Sequence, residues 1–177
     1  MQELCAKCIC NLSESLELHE KIIKHGVLQT MLMIALGRSV ACTTKQLCAR
    51  ALLNLLTDNN FEELKKAGAL RIFATLSAID DPHCQSICGK GFLISTSTLQ
   101  RREDLVGRRT VMKALAAMVK CRSAKTRTMA GLAICNLLSC PSCQIGAIRC
   151  GTLSVLKIIA TMDIEELSEA TARVITR

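Results

Sequence analysis

Apolar residues along this chain recur at intervals of three and four, and never in sustained period-2 runs. A row such as Leu47, Ala51 and Leu55 gives a helix one apolar face. β-branched residues are scattered, which argues against a mainly β fold. The periodic stretches are short and broken at fixed places by single glycines. The first complete set predicts helices over about 17–24, 27–36 and 43–56. No apolar run reaches the roughly 18 residues of a membrane span. Met1 to Cys5 show no basic stretch ahead of an apolar run, so no secretory signal is expected.

The pattern repeats. Leu4 to Leu12 reads LCAKCICNL, Leu47 to Leu55 reads LCARALLNL, and Met129 to Leu137 reads MAGLAICNL. A weaker copy, ICGKGFLIS from Ile87 to Ser95, fills the gap. Equivalent positions are 11, 54, 94 and 136, giving steps of 43, 40 and 42 residues. A truncated copy begins at Leu167. Each strong copy is followed by a glycine corner: Gly26 in IIKHGVL, Gly68 in LKKAGAL and Gly151 in AIRCGTL. Glycine permits positive φ, so one helix can end sharply where the next begins. In the weaker copy Arg109 takes the glycine's place, and that turn is expected to be built differently. Each unit therefore reads as three helices. A single unit cannot bury its apolar face alone, so neighbours must stack.

A period near 42 with a glycine corner and a late asparagine resembles the armadillo repeat, over essentially the whole chain. HEAT repeats have similar length but two helices and no such glycine–asparagine pairing, and rank second. The resemblance implies an all-α, right-handed α-solenoid of about four repeats whose third helices line a concave groove. The units are roughly 1–14 (partial), 15–57, 58–97, 98–139 and 140–177. The array is out of phase with its unit, leaving Leu4, Ile9, Val174 and Ile175 without a cap. The expectation is a piece of a longer array, or one that docks onto neighbours in a larger complex.

An extended peptide in a groove has unpaired backbone N–H and C=O groups, and an asparagine amide answers both. Stacked helices about 10 Å apart would present one rung for about every three residues of an extended partner, at about 3.3 Å each. The resemblance gives this role to Asn11, Asn54 and Asn136; Ile94 breaks the ladder. The alternative is that each asparagine bonds its own helix end or the following loop. One helical turn earlier stand Lys7, Arg50, Lys90 and Leu132. Importin-alpha carries Trp there, and this chain has none, which disfavours a karyopherin-like adaptor. Three cations in four resemble the beta-catenin type of groove, and imply an acidic partner. The alternative is an ordinary solvated helix face.

The formal net charge of +8 is concentrated. Residues 100–127 hold nine basic and two acidic groups, while the rest nearly balances. Arg101, Arg102, Arg108, Arg109, Lys113, Arg122, Lys125 and Arg127 form a basic patch suited to an acidic protein partner or a solvated surface. With no Trp, no Tyr and three Phe there is little to stack bases, so a nucleic-acid partner is not expected.

Twelve cysteines lie within apolar helical periodicity, including Cys5, Cys8, Cys48, Cys88 and Cys135. They read as small buried thiols in a reducing, cytoplasmic setting, with cytoskeletal, ciliary or nuclear association open. Cys5/Cys8 and Cys140/Cys143 have Cys-x-x-Cys spacing, but the pairs lie too far apart along a solenoid to share a metal. Cys140 and Cys143 are expected to pack a corner, and the same holds for His83, Cys84 and Cys88. No phosphate loop, nucleophile elbow or zinc-protease motif is present, and no cofactor or catalytic residue is expected. Function is expected to be that of a protein-interaction scaffold, or of a structural part of a cytoskeletal or ciliary assembly.

Overall fold

The structure is a computed structural model that describes residues 1–162. The copy starting at Leu167, with Val174 and Ile175, lies outside the described residues. Helices follow one another throughout: α1 Gln2–Leu12, a 3₁₀ turn Leu16–Leu18, α2 His19–Lys24, α3 Val27–Leu36, α4 Cys42–Leu55, α5 Phe61–Lys66, α6 Ala69–Ser77, α7 Pro82–Ser95, α8 Leu99–Val106, α9 Arg109–Met118, α10 Ala124–Leu138, α11 Pro141–Arg149 and α12 Thr152–Ala160. Among the described residues there is no strand. The helices predicted over 17–24, 27–36 and 43–56 end within a residue or so of the observed ones.

Local chemistry explains the breaks. Gly26, Gly68 and Gly151 adopt φ of 70°, 91° and 83° and precede α3, α6 and α12. A Cβ at any of the three would meet open space, so the preference is conformational and not steric. The left-handed region costs other residues about 1–2 kcal/mol. The third repeat has no such residue. There α9 begins at Arg109 behind Arg108, whose φ of −93° and ψ of 91° are extended. Arg109 is therefore the first residue of a helix, and Arg108 stands at the cap position that glycine holds elsewhere. Other ends use side chains: Asp81 accepts from the Cys84 N–H at 2.6 Å as α7 begins, Ser123 accepts from Thr126 N–H at 3.3 Å, and Pro141 opens α11.

The chain divides into two compact units, Met1–Gly91 and Phe92 onward. In the first, α1 packs on α4, and α3 packs on α4 and α6. The centre of α4 is made of Cys48, Ala49, Ala51, Leu52 and Leu55, all fully buried, and its small residues let neighbouring helices come close. Burial pushes the Cys48 thiol up to about 12, which keeps it protonated and inert. In the second unit α10 packs on α8, α9 and α11, around Leu115, Ala133, Ile134 and Leu137.

Two expectations about α1 are corrected. Cys5 and Cys8 are exposed, not buried, while Cys48, Cys88 and Cys135 are buried as expected. Ile9 is buried, while Leu4 is 62% exposed. The reason is that α1 turns only Ala6, Ile9 and Cys10 inward. Leu4, Cys5, Cys8 and Leu12 are left on its uncovered faces.

Gly91 in α7 answers a different need. A Cβ there would lie 2.6–2.9 Å from three ring atoms of Phe73, itself fully buried. Gly91→Ala is expected to destabilise the chain by about 1–3 kcal/mol through overpacking. Gly107→Ala, with φ of −74° and nothing within 4 Å of the new Cβ, should be neutral or slightly stabilising. Urea denaturation of the two variants checks this, and equal midpoints would contradict the packing account.

Candidate functional site

Two of the repeat's asparagines make a hydrogen bond that neither expectation named. Asn54 Nδ2 donates to Ser13 Oγ at 3.1 Å, and Asn136 Nδ2 donates to Thr96 Oγ1 at 3.3 Å. Ser13 and Thr96 each lie two residues after the equivalent position, 11 and 94, of the preceding repeat. The bond therefore runs to the helix end one repeat earlier, and not to the residue's own helix end or the following loop. Ser13 Oγ donates its own proton to Cys10 O at 2.6 Å, and Thr96 Oγ1 donates to Leu93 O at 2.9 Å. With that proton spent, each hydroxyl can only accept, which fixes which way the amide faces. Asn54 and Asn136 are half-buried, and each keeps its carbonyl oxygen and a second N–H for another partner. Asn11 is exposed.

The sequence hints at the same rule where it fails. Two residues after Asn54 stands Leu56, which has no hydroxyl, and the next rung is Ile94. The unit lacking the acceptor is followed by the unit lacking the donor.

A second device left no motif in the sequence. His19 Nε2 donates to Ser13 O at 2.8 Å, Asn60 Nδ2 to Leu55 O at 3.4 Å, Arg102 Nε to Thr96 O at 2.8 Å, and Gln144 Nε2 to Leu138 O at 3.0 Å. Four different residues, three of them eight positions after their repeat's rung and Asn60 six after, hold carbonyls at the end of a third helix, which lack helical partners. Because a carbonyl only accepts, His19 carries its proton on Nε2, and its Nδ1 accepts from Asn60 Nδ2 at 3.2 Å. The corner before the third helix is held likewise, by Gln85 on Ile79 O at 2.9 Å and Arg127 on Cys121 O at 3.1 Å. The signal was a shared N–H donor, not a shared letter.

Within the first unit three of the five predicted groove residues, Lys7, Arg50 and Asn54, border two adjoining grooves, while Asn11 lines neither. A groove of about 500 Å³ is lined by Ser13, His19, Arg50, Leu53, Asn54 and Ile87, among others. A second, of about 220 Å³, is lined by Lys7, Gln46, Arg50 and His83, among others. Arg50 borders both and is exposed, with no ion-pair partner among the described residues. Lys7 pairs with Glu3 at 2.7 Å; its hydrogen bond and charge hold the Glu3 carboxyl below the ordinary range. Lys90 is exposed on α7 and lines neither of these grooves. Leu132 occupies the corresponding place in α10, so the cations are not continued there.

The basic block separates into two kinds of residue. Arg101 is buried and donates to Ile94 O at 3.4 Å. Arg102 also donates to Ser97 O and Ser139 Oγ, both at 3.0 Å, and Arg127 to Arg122 O at 2.8 Å. These three serve the fold. Arg108, Arg109, Lys113, Arg122 and Lys125 are exposed. Cys140 and Cys143 are buried, and burial with the Cys140 neighbour raises the Cys143 thiol to about 11. Among the described residues no group of three or more His, Cys, Asp or Glu is placed to hold a metal ion. No single described helix is long and apolar enough to cross a membrane.

No protein-family model matches the chain, and no curated protein matches it by sequence. Solved structures do. A designed armadillo repeat protein in complex with the peptide (KR)4 is 16% identical, with TM-score 0.75 over 97% of this chain and 72% of its own. Computationally designed armadillo repeat proteins for modular peptide recognition match at 16% identity and TM-score 0.76, over 96% of this chain and 72% of theirs. The chain has the armadillo-repeat fold. An engineered protein at 20% identity matches with TM-score 0.74 over 99% of this chain and 73% of its own. The fold is thus the all-α solenoid class of about four armadillo repeats, and the three-helix unit separates it from the HEAT alternative.

Arg102→Ala would strip three acceptors of their donor at once and is expected to cost about 2 kcal/mol. Arg108→Ala, at an exposed position, should stay within about 0.5 kcal/mol. Thermal or urea unfolding of the two variants separates structural from surface arginines, and equal stability would contradict the division.

Proposed function

We propose that this chain is a protein-interaction scaffold that holds an extended, acidic partner segment along the third helices of its first unit. The observation that carries the reading is the pair of grooves joined at Arg50, which brings Lys7, Arg50 and Asn54 to one surface. Asn54 has its amide oriented by Ser13, so its free carbonyl and N–H are available to a peptide backbone without a reorganisation cost. Arg50 gives a planar fork for a carboxylate. The related fold in complex with a peptide of Lys and Arg supports the groove as a place for a peptide. The cations lining it here favour the opposite sign of ligand. Nucleic acid is a weaker reading, because three Arg of the basic block are committed to the fold and no aromatic stacking surface stands beside the rest.

The test is fluorescence anisotropy with a Glu-rich extended peptide and its Lys-rich counterpart, at two salt concentrations. The Glu-rich peptide should bind more tightly and with the steeper salt dependence. Arg50→Glu should weaken it by about tenfold or more. Equal binding of the two peptides, or Glu-rich binding and salt dependence unchanged by Arg50→Glu, would overturn the reading.

A further inference from the structure

The exposed cations of the second unit are not scattered evenly. Arg109 and Lys113, one turn apart on α9, and Arg149, the last residue of α11, surround a pocket of about 160 Å³ together with Cys150. All three cations are exposed, and none has an ion-pair partner among the described residues. A space of that size is about five waters' worth at about 30 Å³ each, which suits a single charged group and not a length of chain.

Two features make this arrangement unusual within the chain's own repeat. First, it occurs at the corner that departs from the pattern: Arg108 stands at the cap position that Gly26, Gly68 and Gly151 hold before their helices. Second, α9 opens on Arg109 where α3, α6 and α12 open on Val27, Ala69 and Thr152, and its first turn, like theirs, holds no acidic residue and no side-chain cap. Arg109 thus stands at the positive end of its own helix, an electrostatically unfavourable place that an anion would relieve. Arg102 and Arg127 spend their guanidinium groups on the carbonyls of helix ends and corners, whereas the side chains of Arg109, Lys113 and Arg149 reach outward to the pocket.

We propose that Arg109, Lys113 and Arg149 form a binding site for a phosphomonoester dianion. Two guanidinium forks match the tetrahedral oxygens in a bidentate way, and the lysine adds a point charge. A phosphomonoester carries about −1.5 to −2 charge near pH 7, which three converging cations accept better than they would a single carboxylate. The site lies in the second unit and does not rest on the groove reading for the first.

Cys150 gives a reporter inside the pocket. The full chain is treated with iodoacetamide, a neutral reagent, and alkylation of each cysteine is timed by mass spectrometry. Inorganic phosphate is titrated against sodium chloride at matched ionic strength and pH. Phosphate should slow alkylation of Cys150 severalfold and leave the exposed Cys5 and Cys42 unchanged. The double variant Lys113→Ala/Arg149→Ala should raise the half-protecting concentration by about tenfold or more, while Arg149→Lys should retain part of the protection. A short phosphoserine peptide and its unphosphorylated form complete the series. Tighter protection by the phosphoserine peptide assigns the site to a phosphorylated protein, and protection by inorganic phosphate at equal or lower concentration assigns it to free phosphate. Chloride and phosphate acting alike on Cys150, or protection surviving the double variant, would overturn the proposal.

Discussion

A hydroxyl has one proton to donate. Ser13 spends it on the carbonyl of Cys10, and Thr96 spends it on Leu93. Each can then only accept, so the asparagine one repeat later must turn its N–H toward it. This constraint does two things together. It ties a third helix to the end of the preceding third helix, and it sets the face of the amide that remains. A rung that was free to rotate would lose entropy on meeting a partner; one already held by the stack does not. The same asparagine is thereby both part of the fold and a candidate contact, and the two roles use different atoms.

The helix ends show the same economy. Stacked short helices expose many terminal carbonyls, each costly if left buried without a donor. Here a residue six or so positions on reaches back to satisfy them, as His19, Asn60, Arg102 and Gln144 do in turn. Requirements of this kind constrain the presence of a side-chain N–H and not the identity of the residue. The basic block consequently divides by duty: Arg102 and Arg127 hold carbonyls, while Arg109 and Lys113 face a pocket.

The fold was legible because its signals are local. A positive φ admits few residues besides glycine, so Gly26, Gly68 and Gly151 mark the corners by letter, and the helix lengths follow from the spacing between them. The third corner was harder, because an extended arginine can open a helix as well as a glycine in the left-handed region, and Arg108 in place of Arg109 is a one-residue matter of register. The partners of the asparagines were illegible for another reason. Ser13 is 41 residues from Asn54, and nothing in either residue's neighbourhood names the other. Only stacking, which converts a period in sequence into adjacency in space, pairs them. Cys5 and Cys8 were misplaced because helical periodicity reports which residues share a face, not whether anything covers it. The gathering of Lys7, Arg50 and Asn54 followed from equivalence between repeats, whereas Arg149 beside Arg109 joins different helices of different repeats and has no periodic signature.

An amide-to-hydroxyl bond thus ties one repeat to the next at two junctions and sets how the rung is presented there. A double-mutant cycle on Asn54→Ala and Ser13→Ala, read by urea denaturation, measures that bond apart from everything else each side chain does. The predicted coupling is about 0.5–1.5 kcal/mol. Additivity to within about 0.3 kcal/mol would contradict it.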